Sequence, residues 1–178
     1  RNLDFMNEVF DQEGDIAGVI HFAALKSVGE SVLKPELYHE NNIGSLRVVM
    51  DVMERHQARL FVFSSSATVY GHAEKLPVTE STPVKKPESP YGATKILGEQ
   101  IVETAVRDGR PFRAVALRYF NPIGAHESAK IGELPIGIPN NLVPFVTQTA
   151  AGNLPRLVVF GSDYNTPDGT PIRDYIHV

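Results

Sequence analysis

The stretch Ala17-Gly18-Val19-Ile20-His21-Phe22-Ala23-Ala24 is short, apolar and rich in β-formers, the composition of a strand buried on both faces of a parallel sheet. Before it, Leu3, Met6, Val9 and Phe10 recur at helical spacing up to Gly14, as at the end of an amphipathic helix. After it, Leu46, Val49, Met50 and Met53 form one stripe of a helical segment from Leu37 to His56, and Leu60-Phe61-Val62-Phe63 reads as a second strand. A loop with Pro77, Pro83, Pro87 and Pro90 leads to another periodic segment, Tyr91 to Arg107, striped by Leu97, Ile101, Val102 and Ala105 and closed by Asp108-Gly109. Phe112 to Tyr119 supplies a third strand. This alternation predicts an α/β fold, a doubly wound, Rossmann-like parallel sheet with helices on both faces. Ligands in such sheets bind at the carboxyl ends of the strands.

After Asn121 the pattern changes. Glycines (Gly124, Gly132, Gly137, Gly161, Gly169) and prolines from Pro122 to Pro171 break the chain into short pieces. We therefore expect residues 1–121 to belong to a dinucleotide-binding domain and residues 122–178 to a smaller, incomplete substrate-binding domain. Within the second part, Asn141 to Ala151 is spaced as a helix and Arg156 to Phe160 as a strand, while Ile176-His177-Val178 reads as the start of an element.

With 178 residues, 42% of them hydrophobic and 21% charged, the chain suits one domain or one and a half and can bury a sizeable core. Seventeen basic against twenty-one acidic residues, net −4, argue against a nucleic-acid partner. Zero cysteines exclude a disulfide scaffold and a thiolate metal site and fit a reducing compartment, the cytoplasm. No metal-ligand set is assigned. No apolar run reaches the ~18 residues of a membrane span. Arg1-Asn2-Leu3-Asp4 carries no initiator Met and no signal-peptide pattern, so the expectation is a piece of a longer protein whose first strands lie upstream.

Two polar features sit where such a sheet binds its ligand. Ser64-Ser65-Ser66 directly follows the second strand; alone it is a polar turn. Tyr91-x-x-x-Lys95 opens the long helix and places a phenol and an ammonium on one face. A phenol ionises near pH 10, and a neighbouring ammonium favours the anion, so the pair is expected to give a phenolate base near neutral pH. A serine at one strand end and a Tyr/Lys pair at the next helix start converge on the same crevice.

These residues and the stretches Val19 to Ser31, Phe63 to Gly71, Leu117 to Pro122, Ile138 to Leu142 and Phe160 to Val178 resemble the extended short-chain dehydrogenase/reductases that act on nucleotide sugars, in particular their 4-epimerases. The resemblance implies NAD as cofactor and a UDP-sugar as substrate. It implies catalytic roles for Ser66, Tyr91 and Lys95. Phe22, Ala23, Ala24, Lys26, Asn41, Ser64, Tyr119 and Phe120 would join Tyr91 and Lys95 around the cofactor. Ser66, Ala67, Thr68, Tyr91, Asn121, Asn140, Asn141, Leu142, Val158, Val159, Phe160 and Arg173 would line the substrate. Arg173 can fork onto a phosphate, and asparagine amides offer neutral donors.

The implied reaction is the interconversion of UDP-glucose and UDP-galactose by removal and return of hydride at sugar C4. Related 4,6-dehydratases carry an acidic pair where this chain has Ala67 and Thr68, so elimination is disfavoured. A neighbouring epimerase acting on UDP-glucuronate stays open, as does an inactive binding module if the 178 residues stand alone. No G-x-x-G-x-x-G turn precedes the first strand, so no residue is assigned to the adenosine end of NAD. The run Asn41-Asn42-Ile43-Gly44 is one residue shorter than the family's spacing, and one residue turns a helix by about 100°, which leaves Asn41 and Asn42 as alternatives. The family also implies a homodimer joined through two helices beside the sheet, for which Leu37 to His56 and Tyr91 to Arg107 are the candidates.

Overall fold

A computed structural model describes residues 1–178 as two compact units, Arg1–Tyr119 and Phe120–Val178. In the first unit three parallel strands, β1 (Gly18–His21), β2 (Leu60–Ser66) and β3 (Arg113–Tyr119), lie in the order β1-β2-β3. Ile20, Val62 and Val115 stand side by side in the ladder.

The helices start where the sequence supplies caps. Asn2 Oδ1 accepts from Phe5 N at 3.0 Å to open α1 (Leu3–Glu13). Ser27 Oγ accepts from Glu30 N at 3.3 Å at the head of α2 (Val28–Leu33). Prolines occupy the first turns of α3 (Pro35–Arg55) and α4 (Pro90–Arg107), where their missing N–H leaves no helix hydrogen bond unmade. The Ser89 hydroxyl caps α4 by accepting from Gly92 N at 3.0 Å.

The expected stripes become the core. Leu46, Val49, Met50 and Met53 of α3 pack with Phe61 and Phe63 of β2, Val102 and Ala105 of α4, and Phe10 and Phe112. Each large side chain buried there stabilises by ~1.5–3 kcal/mol relative to exposure.

Within residues 1–178 the helices cover one face of the sheet: Ile20 is 64% exposed on the other, and Val115 and Leu117 on that same side are exposed too. The reason is handedness. Both crossovers advance the same way across the sheet, and right-handed connections then set α3 and α4 on one face.

The second unit contains β4 (Asn121–Ile123) paired in parallel with β5 (Tyr175–His177), and α5 (Leu142–Ala150). The Ile176-His177 segment is thus a strand in place. The predicted strand Arg156 to Phe160 does not form, and the side chains of Leu157 to Phe160 are exposed. Its β-forming residues lack a neighbouring strand to complete a ladder, and propensity alone does not hold an extended segment. No helix is long and apolar enough to cross a membrane.

Candidate active site

In the first unit the strands' carboxyl ends gather the expected residues. β2 does not stop at Phe63. Ser64, Ser65 and Ser66 continue it, paired with Leu117, Arg118 and Tyr119 of β3. Alternation along the strand turns Ser65 toward the helices, where it is buried, and leaves Ser64 and Ser66 on the other side. A short 3-10 turn follows from Ala67 to Tyr70, started by Ser66 Oγ, which accepts from Thr68 N at 3.3 Å.

α4 begins beside this edge. The Ser66 side chain stands beside the Tyr91 phenol and favours its ionised form. Lys95 is only 5% exposed; its Nζ donates to Ser64 O at 2.6 Å and lies 5.3 Å from the Phe63 ring centre and 5.7 Å from that of Tyr91. Burial pulls the Lys95 ammonium down to about 8. Burial pushes the Tyr91 phenol up, opposed in part by the Ser66 side chain. The expected phenolate near neutral pH is therefore not a property of the Tyr/Lys pair by itself, because desolvating the anion outweighs the help of its neighbours.

Phe22, Ala23 and Ala24 follow β1 at the same edge. The Phe22 ring, 62% exposed, is tilted against that of Tyr119 with centres 6.1 Å apart. The next residues are held from α3: Asn42 Oδ1 accepts from Leu25 N at 2.8 Å, and its Nδ2 donates to Leu25 O and to Thr94 Oγ1, both at 3.0 Å. Asn42 is buried, whereas Asn41 is half-buried and donates to Asn42 Oδ1 at 3.2 Å. Lys26 lies exposed two residues beyond Ala24.

His21 was not singled out by sequence reasoning. Buried at the end of β1, it stacks on Phe63 with ring centres 6.3 Å apart and 15° between planes, beneath Lys95. Its pKa falls to about 4, first through burial and then through the charge of Lys95. Its position at the carboxyl end of a strand was the available signal.

In the second unit Asn121 Nδ2 donates to Asp174 O at 2.8 Å, which sets β4 beside the segment carrying Arg173. Arg173 is exposed, with Nη1 on Ile172 O at 2.8 Å. Asn140, Asn141 and Leu142 lie at the start of α5, where Asn141 Nδ2 donates to Glu133 Oε1 at 2.7 Å. Val158, Val159 and Phe160 stand exposed on the irregular stretch that follows α5. Phe120 opens this unit and is half-buried.

A Tyr/Lys pair on a helix, its lysine buried, a serine at the adjoining strand end and a parallel sheet define a short-chain dehydrogenase-like fold. Residues 1–178 match the model of the NAD dependent epimerase/dehydratase family, and the chain belongs to that family. Among relatives, it is 54% identical over 166 residues to the UDP-glucose 4-epimerase of Pasteurella multocida (strain Pm70), covering 93% of this chain and 49% of that protein. Over 178 residues it is 52% identical to the UDP-glucose 4-epimerase of Neisseria meningitidis serogroup B (strain ATCC BAA-335 / MC58), covering 100% of this chain and 52% of that protein. The crystal structure of UDP-glucose 4-epimerase from Bifidobacterium longum in complex with NAD+ and UDP superposes with a TM-score of 0.94 at 50% identity, over 99% of this chain and 52% of that one. The chain spans about half the length of the curated relatives it matches.

Proposed function

We propose that the chain carries the catalytic residues of an NAD-dependent epimerase that interconverts UDP-glucose and UDP-galactose at sugar C4 in the intact protein. The observation that carries this reading is the Ser66–Tyr91–Lys95 constellation at the carboxyl end of β2, with its lysine buried, in a chain matched by the epimerase family along its whole length.

The residues at this edge fit the nicotinamide end of NAD. Lys95 spends one of its three donors on Ser64 O, and Phe22 and Tyr119 present rings at the crevice. In this reading Lys95, Tyr91, Ser64, Phe22, Ala23, Ala24, Lys26, Tyr119 and Phe120 hold that end. Asn42 shapes the Leu25 backbone beside it, and Asn41 supports Asn42. NAD, when bound, accepts and returns the hydride of C4.

Tyr91 takes the proton of the C4 hydroxyl as the carbon is oxidised and gives it back to the 4-keto sugar. Because burial resists the anion, Tyr91 needs a cation and a donor at the moment of transfer. Lys95, charged below about pH 8, supplies the cation, and Ser66 supplies the hydrogen bond. Ser66 also orients the reacting oxygen. Ala67 and Thr68 put no second acid beside it, so elimination has no proton donor there. A general base placed this way accelerates by ~10²–10⁴-fold.

The uridine diphosphate is assigned to Asn121, Asn140, Asn141, Leu142, Val158, Val159, Phe160 and Arg173. Residues 1–121 are read as the NAD-binding part and residues 122–178 as part of the substrate domain. We place a homodimer contact on α3 and α4, whose outer cleft of about 470 Å³ is lined by Arg47, Asp51, Leu97, Gln100, Ile101 and Thr104. The reading puts the reaction in the cytoplasm and assigns no nucleic-acid partner.

The test is the intact protein with NAD and UDP-galactose, UDP-glucose being the expected product. Turnover of UDP-glucuronate in preference to UDP-galactose transfers the reading to the neighbouring epimerase. No turnover of either sugar with NAD bound overturns it.

A further inference from the structure

α4 carries three polar side chains at four-residue steps, Tyr91, Lys95 and Glu99, and such steps place them along one side of a helix. The first two belong to the proposed site. Glu99 lies deeper, 13% exposed, and its two oxygens accept three hydrogen bonds. Ser65 Oγ donates to Oε1 at 2.5 Å, Arg118 Nε to the same oxygen at 2.9 Å, and Arg118 Nη2 to Oε2 at 2.7 Å. Ser65 and Arg118 face each other in the β2–β3 ladder. The Arg118 guanidinium also lies 4.9 Å from the ring centre of Tyr70, in the turn that leaves β2. One carboxylate on the helix thus binds the ends of two strands and reaches the turn beyond.

Ser65 stands between Ser64, whose carbonyl holds Lys95, and Ser66, whose side chain favours the ionised form of Tyr91. Successive strand residues point to opposite faces, so anchoring Ser65 on the helix side fixes how Ser66 is presented. Catalytic geometry tolerates errors of only about half an ångström, and residues behind the reacting groups keep within it.

We propose that Glu99 is a positioning residue: through Ser65 and Arg118 it holds the end of β2 against α4, so that the Ser66 hydroxyl stays within reach of the Tyr91 phenol. The groups facing Glu99 are Ser65 of β2, Arg118 of β3 and, through Arg118, Tyr70. Those facing Tyr91 are Ser66 and Lys95, and the charge of Lys95 in turn lowers the pKa of His21 of β1. The activity arm of the test rests on the epimerase reading; the titration arm does not.

Sign separates the possibilities. Removing the Glu99 charge and freeing Arg118 makes the surroundings more positive, which by direct electrostatics eases ionisation of Tyr91. Losing the help of Ser66 impedes it. The experiment is an ultraviolet difference titration of the tyrosinate band in the intact protein, for Glu99→Gln and Ser65→Ala, each measured against the same variant also carrying Tyr91→Phe. We expect the Tyr91 midpoint to rise by about one pH unit in Glu99→Gln, the worth of one hydrogen bond to an ionised oxygen, and by less in Ser65→Ala. With UDP-galactose, kcat should fall about tenfold at neutral pH and recover as pH rises, with KM unchanged. A midpoint that falls or stays, or a loss of thermal stability with an unmoved pH profile, overturns the proposal. If Glu99→Gln does not fold, Ser65→Ala decides. If the wild-type protein turns over no UDP-sugar, the functional reading falls, and the titration alone decides the role of Glu99.

Discussion

Gly98 lets α4 lie directly on the Phe63 ring, and filling that gap with one methyl group tests how tightly the site is supported. A Cβ at position 98 would stand 2.5 Å from Phe63 Cζ, 3.0 Å from Cε1 and 3.4 Å from Cε2. The ring is poorly placed to give way. It is 4% exposed, stacked on His21 and 22° from parallel with Phe61, and Lys95 Nζ lies 5.3 Å from its centre. Glycine to alanine inside a helix gains ~1 kcal/mol in propensity. Overpacking a dense core costs ~1–3 kcal/mol, and a carbon some 1 Å too close belongs at the upper end. We therefore expect Gly98→Ala to destabilise the protein by about 1–2 kcal/mol and to lower kcat, because the displaced ring carries Lys95. Gly29→Ala is the control: nothing lies within 4 Å of a Cβ there, and α2 should gain up to ~1 kcal/mol. Urea unfolding at unchanged slope measures both. A Gly98→Ala protein stabilised as much as Gly29→Ala would refute the tight contact between α4 and Phe63.

Three further outcomes are expected. His21 titrates near 4 in the fold against 6.5 unfolded, so the unfolded chain binds the extra proton between those values, and stability falls by up to about 3 kcal/mol as pH drops through that window; His21→Phe should flatten this acid limb in denaturation curves. Lys95 is depressed from 10.5 to about 8, so the unfolded chain again holds more protons between them, and stability gained as pH rises from 8 to 10.5 should disappear in Lys95→Met when the two proteins are compared. Tyr91→Phe should lower kcat by ~10²–10⁴-fold while binding NAD as before in equilibrium dialysis, and unchanged turnover would remove Tyr91 as the base.

The strand and helix stripes were legible because burial follows period. Leu46, Met50 and Met53, and Val102 and Ala105, all lie in the core where spacing put them. What escaped was set by partners rather than by hydropathy. Ser64 to Ser66 read as a turn, yet they form strand because β3 pairs with them residue by residue. Arg156 to Phe160 read as strand, yet nothing pairs with it. The six-residue α2 escaped although Ser27 and Glu30, three apart, carry its cap. At the site, Tyr91, Lys95 and Ser66 could be chosen from spacing and resemblance. Glu99 could have been found one helical turn beyond Lys95, but its importance needed Arg118, on another strand, brought opposite Ser65. The sign of the Tyr91 shift also lay outside the sequence, since only the folded chain shows how far burial outweighs the help of Ser66.

In the proposed reaction, hydrogen leaves and returns to the same sugar carbon at a site built on Tyr91, Lys95 and Ser66. Its most direct measurement is nuclear magnetic resonance of UDP-galactose incubated with the intact protein and NAD in deuterated water. The expected product is UDP-glucose whose C4 still carries its original hydrogen. Deuterium at C4, or no UDP-glucose at all, would contradict it.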